Sequence, residues 1–169
     1  MAKKIPYGLT DYFRIVTEDF YYVDKTKYIE DLEKTAAFLF LIRPRRFGKS
    51  LFLNMLNCYY DVKYADRFEE LFGNQYIGKH PTAEQGKYLV LRFNFSMVRA
   101  TDDKLEAAFN RHISLETAYF ASVYASYFKP DFQEQLKLIP EAAGRLEYIC
   151  LCAKEQGLSI YLLIDEYDN

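Results

Sequence analysis

The chain of 169 residues has no tryptophan, three cysteines, two histidines and a formal net charge of only −2. Each shortage removes a class of function. Cys58, Cys150 and Cys152 follow no metal-ligand spacing. Cys150 and Cys152 are separated by a single residue in an apolar helical run, so they would not face each other. An odd number of cysteines in apolar surroundings points to reduced thiols in a cytoplasm. His80 and His112 have no second ligand nearby in the sequence and are expected on the surface or in packing. The near-neutral balance offers no general case for a nucleic-acid surface. No apolar stretch reaches about 18 residues, so no helical membrane span is expected. Met1-Ala2-Lys3-Lys4 does not lead into an apolar run, so no signal peptide is expected. Internal repeats and low-complexity segments are also missing.

What remains is an ordinary globular composition, 50% hydrophobic and 27% charged. The length suits one domain with a sizeable core and is too short for two full ones. The aromatic content is high, with 16 tyrosines and 14 phenylalanines. That fits a tyrosine-rich core better than a base-stacking platform, because the hydroxyls can satisfy buried polar groups while the rings pack.

Along the chain, Leu9 to Thr17 reads as a short helix and Tyr21-Tyr22-Val23 as a brief extended piece. Asp24 can cap a second helix, Lys25 to Lys34, with Tyr28, Ile29 and Leu32 on one face. Ala36 to Ile42, "AAFLFLI", is a continuous apolar run of the kind that forms a strand buried on both sides. Lys49 to Tyr60 is apolar on nearly every face and reads as a buried helix. Ala65 to Phe72 reads as a short amphipathic helix stopped by Gly73, and Asn74 to Gly86 as loop. Lys87 to Ser96 is a second strand. Two long helical stretches follow, about Asp102 to Phe128 and about Pro140 to Gln156, with Pro140 suited to a first turn and Gly157 to a C-terminal stop. Ile160 to Ile164 is a third buried strand, ending in Asp165-Glu166. Strands alternating with helices argue for an α/β fold with a parallel sheet and helices on both faces. In such sheets ligands bind at the carboxyl ends of the strands.

Two motifs fall at such ends. "IRPRRFGKSL", Ile42 to Leu51, closes like a phosphate-binding loop, with Gly48-Lys49-Ser50 between a strand pattern and a helix pattern. Its head departs from the usual form, because Arg43 stands where the first glycine would be. Gly-Lys-Ser/Thr alone is weak, since roughly one chain in ten of this length carries it by chance from average residue usage. The context is what discriminates. Backbone N–H groups of the loop and of the helix's first turn would point at phosphates, and Gly48 would let the backbone approach without a Cβ. Lys49 would bring a charge to the β- and γ-phosphates, and Ser50 its hydroxyl to Mg²⁺. At the other motif, Asp165 would hold Mg²⁺, usually through water, and Glu166 would orient or deprotonate the attacking water. The bland alternative is that both acids merely cap a following helix.

"YYVDKTKYIEDL", "FLIRPRRFGKSL" and "YLLIDEYDN" together resemble the AAA-ATPase-like family of bacterial P-loop ATPases, over about Ile5 to the last residue. In that family Arg-Pro in place of the first glycine is the normal loop. The resemblance implies a partial P-loop NTPase three-layer sandwich, truncated after the Walker B strand, with an N-terminal helical segment (1–35) and an incomplete core (36–169). It implies ATP and Mg²⁺ as cofactors. Arg45, Arg46, Phe47, Gly48, Lys49, Ser50 and Leu51 would hold the nucleotide. Ser50 and Asp165 would hold the metal, and Glu166 and Lys49 would be catalytic. It also implies a C-terminal effector domain, in some members nuclease-like, that is not in this chain, and it leaves homo-oligomerisation open. Arg43, Arg45 and Arg46 could touch phosphates, reach a nucleic acid or pair with acids such as Asp24. Contact with the nucleotide or the N-terminal segment is favoured, and no nucleic-acid binding is expected of this chain alone. Tyr22 to Thr26 would lie against the loop or the adenine, or else be a capped surface helix. Asn94 and Ser96 are further candidates at the same sheet edge.

Three functions compete. The leading one is a Mg-dependent ATP-hydrolysing domain that drives or gates an attached effector. The second is a nucleotide-dependent switch with little turnover, because no arginine finger or later sensor residue can be assigned. The third is a P-loop kinase acting on a small molecule, which the Asp165-Glu166 pair disfavours. The chain itself, ending three residues after Glu166, is expected to bind nucleotide and hydrolyse it poorly.

Overall fold

Asp11 starts the first helix by accepting the Arg14 N–H on its side chain (3.2 Å). This helix, α1, runs Tyr12–Thr17 in the computed structural model, which describes residues 3–35, 37–44, 46–98 and 104–167. Ala36, Arg45, Asp102 and Asn169, on which expectations rested, lie outside the described residues. The chain divides into two compact units, Met1–Lys87 and Tyr88–Asn169.

In the first unit, α1 packs against α3 (Lys49–Tyr60) and α4 (Phe68–Phe72), with α2 (Tyr28–Glu33) and α5 (Tyr76–Lys79) completing the helices. The core holds Tyr12, Ile15, Ile29, Met55, Tyr59, Phe72 and Ile77, each fully enclosed. Tyr12 stacks on Phe72 at 5.2 Å between ring centroids, and Tyr59 meets the same ring edge-on at 5.4 Å. The tyrosine hydroxyls find partners, as a buried phenol requires. Tyr12 donates to the Leu71 carbonyl (2.9 Å), Tyr60 to Glu33 (3.1 Å), and the Tyr59 hydroxyl accepts the Thr82 N–H (2.9 Å).

Three sequence expectations change here. First, α2 begins at Tyr28 and not at Lys25, because Asp24 does not cap a helix. Its Oδ1 accepts both the N–H and the hydroxyl of Thr26 (2.8 and 2.7 Å), and this Asx turn holds residues 24–26 off the helix. Second, residues 37–42 form no strand. Phe38 is 89%, Phe40 79% and Ile42 82% exposed. A strand buried on both faces needs a ladder on its edges and cover on its faces. Among the described residues the sheet ladder is formed elsewhere, in the second unit. Third, the segment before Gly73 divides into a 3₁₀ turn, Val62–Arg67, and α4, and the expected loop beyond it contains α5.

The second unit is built on a two-stranded parallel sheet, β1 (Tyr88–Asn94) with β2 (Ser159–Asp165). The register runs from Tyr88 opposite Ser159 to Asn94 opposite Asp165. Parallel neighbours need a long crossover. Here it carries α6 (Leu105–Val123), α7 (Phe132–Leu138) and α8 (Ala142–Glu155). α6 packs on β1, α8 on β2, and the two helices on each other. The Tyr124 hydroxyl accepts the Val90 N–H (3.1 Å), giving β1 a side-chain partner for a ladder donor. α8 closes as expected at Gly157, which sits at φ 67°. The Gly157 N–H reaches Lys154 (3.1 Å) and the Leu158 N–H reaches Ala153 (2.8 Å), the two bonds of a Schellman stop. Pro140 precedes the helix and is not in its first turn, since Glu141 is the N-cap. α7 went unforeseen. Its end is held by Arg145, whose Nε donates to the Ile139 carbonyl (2.7 Å). The architecture is therefore α/β with a two-stranded parallel sheet and many helices. No helix of the described residues is long and apolar enough to cross a membrane.

Candidate functional site

The loop before α3 is shaped by two left-handed residues. Arg46 has φ 67° and Gly48 φ 78°. Glycine takes that conformation without a Cβ penalty, whereas arginine pays about 1–2 kcal/mol for it. The Phe47 N–H closes a turn onto the Pro44 carbonyl (3.3 Å). Gly48 is then the N-cap of α3, and its carbonyl takes the first helical bond from the Phe52 N–H (2.9 Å). Having no side chain, it gives the first turn no cap, and no acidic residue stands in that turn. The N–H groups of Lys49, Ser50 and Leu51 thus carry the positive end of a 12-residue helix with no carboxylate of their own. These three residues are half-buried, while Arg43, Arg46 and Phe47 are exposed. Arg45 lies outside the described residues. Asn54 steadies the turn by donating to the Ser50 carbonyl (2.8 Å).

The N-terminal segment lies against this loop. Asp24 is anchored at both oxygens, since its Oδ2 accepts the Tyr76 N–H (2.7 Å) while Oδ1 holds Thr26. Thr26 is fully buried, and its hydroxyl oxygen also accepts the Ile77 N–H (3.1 Å). The Asp24 carboxylate therefore faces α5 and Thr26. Between these two anchors stands Lys25, half-buried, with its Nζ 3.9 Å from the point where a Cβ on Gly48 would sit. Pro6, Tyr21, Tyr22, Val23, Lys25, Gly48, Leu51 and Phe52 line a cavity of about 240 Å³. Of these, sequence reasoning had singled out Tyr22, Val23, Lys25, Gly48 and Leu51. Tyr21 stood only at the head of the YYVDKTKYIEDL motif, and Pro6 and Phe52 carried no local signal.

In the second unit, Asp165 ends β2 and is 7% exposed. Its Oδ1 accepts the N–H of Glu166 (3.0 Å), and Glu166 turns left-handed at φ 53°. A buried carboxylate and a half-buried one thus stand side by side at the carboxyl end of the strand. Asn94 stands opposite Asp165 in the register. Its Oδ1 is engaged by the N–H and hydroxyl of Ser96 (3.1 and 2.8 Å), so these two side chains serve first to turn the chain. His80 stacks on Tyr76 at 4.4 Å, and His112 is buried edge-on to Phe93 and Phe95, the packing roles expected of them. Among the described residues no group of three or more His, Cys, Asp or Glu side chains could hold a metal ion. A Mg²⁺ held through phosphates needs no such group, only a hydroxyl and a carboxylate.

A family model described as a predicted AAA-ATPase matches residues 6–169. Over 55 residues the sequence is 49% identical to an uncharacterized protein in the vnfD 5' region of Azotobacter chroococcum mcd 1, a stretch that makes up 32% of this chain and 11% of that protein. The shared stretch is thus a small part of the relative's length. No solved structure matches the chain.

Proposed function

We propose that this chain, which belongs to the AAA-ATPase-like family of predicted AAA-ATPases, binds the triphosphate of ATP at the N-terminus of α3 and hydrolyses it with Mg²⁺ to drive or gate an attached effector. The observation that carries the reading is the uncapped first turn of α3, entered through left-handed Gly48 and bearing Lys49 and Ser50. An anion there would gain several N–H donors and the helix dipole at once, which is what a phosphate needs. Family membership supports ATP as the nucleotide.

The roles follow from the chemistry of each group. The N–H groups from Arg46 to Leu51 orient the phosphates, and Lys49 neutralises the β- and γ-oxygens. Arg45 belongs to the same loop by sequence. The Ser50 hydroxyl and the Asp165 carboxylate suit a hard cation, and Mg²⁺ bound to ATP would neutralise the charge that builds on the transferred phosphoryl group. Glu166 is the base that orients the attacking water. The fixed backbone of its turn, held by the Asp165 side chain, directs that carboxylate. The three free cysteines suit a reducing cytoplasm.

The test is ATP turnover by the intact chain and by Glu166→Gln. The reading expects the wild-type chain to turn ATP over slowly and the variant, binding ATP as the wild type does, to fall about 10²–10⁴-fold below it, the range of a general base. Binding without measurable turnover in the wild type would leave a nucleotide-dependent switch. Equal turnover in both proteins would remove Glu166 from the chemistry.

A further inference from the structure

The cavity beside Gly48 has a lopsided lining. Pro6, Tyr21, Tyr22, Val23, Leu51 and Phe52 make it apolar and partly aromatic, and Lys25 and Gly48, which lie next to each other, complete the lining. Its volume of about 240 Å³ falls under the roughly 300–1,000 Å³ of pockets for drug-sized ligands. That leaves room for one planar ring system and not for a whole nucleotide. Lys25 adds an electrostatic oddity. Its ammonium stands beside the N-cap of α3, where the helix already presents positive charge, and Lys49 follows directly. The ion pairs formed among the described residues do not include Lys25. Placing cations against a helix N-terminus is unfavourable unless an anion comes between them. The chain nevertheless fixes Lys25 there, fastening Asp24 to Tyr76 and Thr26 to Ile77 on either side of it.

We propose that this cavity holds the base of the bound nucleotide, with Tyr21 as an aromatic wall, and that Lys25 is a second cationic ligand of the phosphates beside Lys49. The proposal rests on the nucleotide reading above and extends it, because it makes the N-terminal segment part of the ligand site. The base would enter between Pro6, Tyr21 and Phe52, and the phosphates would leave past Lys25 toward the first turn of α3. Lys25 is then a binding residue, and Asp24 and Thr26 position it.

The experiment compares ATP with inorganic tripolyphosphate, which has the phosphates and no base, in calorimetric titrations of the intact chain. Wild type, Tyr21→Ala and Lys25→Met are measured. Tyr21 is 56% exposed, so its removal should not disturb folding. The wild type is expected to bind ATP at least about tenfold more tightly than tripolyphosphate. Tyr21→Ala should lower ATP affinity by about five- to a hundredfold, as loss of a base-stacking ring does, and leave tripolyphosphate unchanged. Lys25→Met should weaken both ligands by about ten- to a hundredfold. If tripolyphosphate binds the wild type as tightly as ATP, or Tyr21→Ala changes both ligands alike or neither, the cavity is not the base site, although the phosphate site stands. Unchanged affinities in Lys25→Met would remove the second cation. If neither ligand binds the wild type, the nucleotide reading falls and this one with it.

Discussion

Thr26→Val tests how the N-terminal segment is held. Valine matches threonine in shape and lacks the hydroxyl, so packing is retained and two hydrogen bonds go. One is the hydroxyl bond to Asp24 Oδ1 (2.7 Å), the other the Ile77 N–H bond to the hydroxyl oxygen (3.1 Å). Asp24 is exposed and can turn to water, so losing the first costs under about 1 kcal/mol. The second is dearer. Ile77 is fully buried, and its N–H would be left without a partner at about 1–3 kcal/mol. The sum is about 1–4 kcal/mol, beyond the roughly 0.5 kcal/mol of an ordinary surface substitution. Because the chain has two compact units, the assay should be local: amide exchange at Ile77 and Tyr76. Protection there should drop at least about fivefold and up to several hundredfold, and Thr26→Ser, which keeps the hydroxyl, should preserve most of it. A drop of less than about threefold in Thr26→Val would show that these bonds do not anchor the segment.

Gly48→Ala should destabilise the loop by about 1–2 kcal/mol, because alanine must adopt φ near 78°. Gly48→Asn should be milder, and urea unfolding of the two variants compares them. At high pH, burial raises the phenols of Tyr12, Tyr22 and Tyr59 above their ordinary value of 10.0. Since the folded values are the higher ones, stability is intact below about pH 10 and is lost as pH rises above it. Phenolate absorbance from these rings should appear only together with unfolding, and their free titration in the folded chain would contradict the packing. A gel-shift titration with duplex DNA should show no salt-dependent complex at sub-micromolar protein. Such a complex would make Arg43 and Arg46 nucleic-acid ligands.

Much of the fold is legible in the sequence wherever the signal is local. Lys49 to Tyr60 announces a helix behind Gly48, and Tyr88–Asn94 and Ser159–Asp165 carry apolar runs that pair in parallel as strands divided by helices should. The misreadings have physical causes. An aspartate two residues before a threonine gives the same signal for a helix cap as for an Asx turn, and the Tyr76 N–H, 52 residues away, decides between them. Residues 37–42 have the composition of a buried strand, but burial depends on neighbours that composition cannot supply. The candidate site divides the same way. Gly48, Lys49, Ser50, Asp165 and Glu166 stand out by motif. The cavity does not, because it gathers Pro6, Tyr21 and Phe52 from distant parts of the chain.

The most direct measurement is a calorimetric titration of the intact wild-type chain and of Lys49→Ala with ATP and Mg²⁺. Lys49 contributes a charge-assisted phosphate contact, and each such bond is worth about 1.5–3 kcal/mol. One ATP per chain is expected for the wild type, with affinity at least about tenfold weaker in the variant. Equal affinity in the two proteins would contradict the assignment of the phosphates to the first turn of α3.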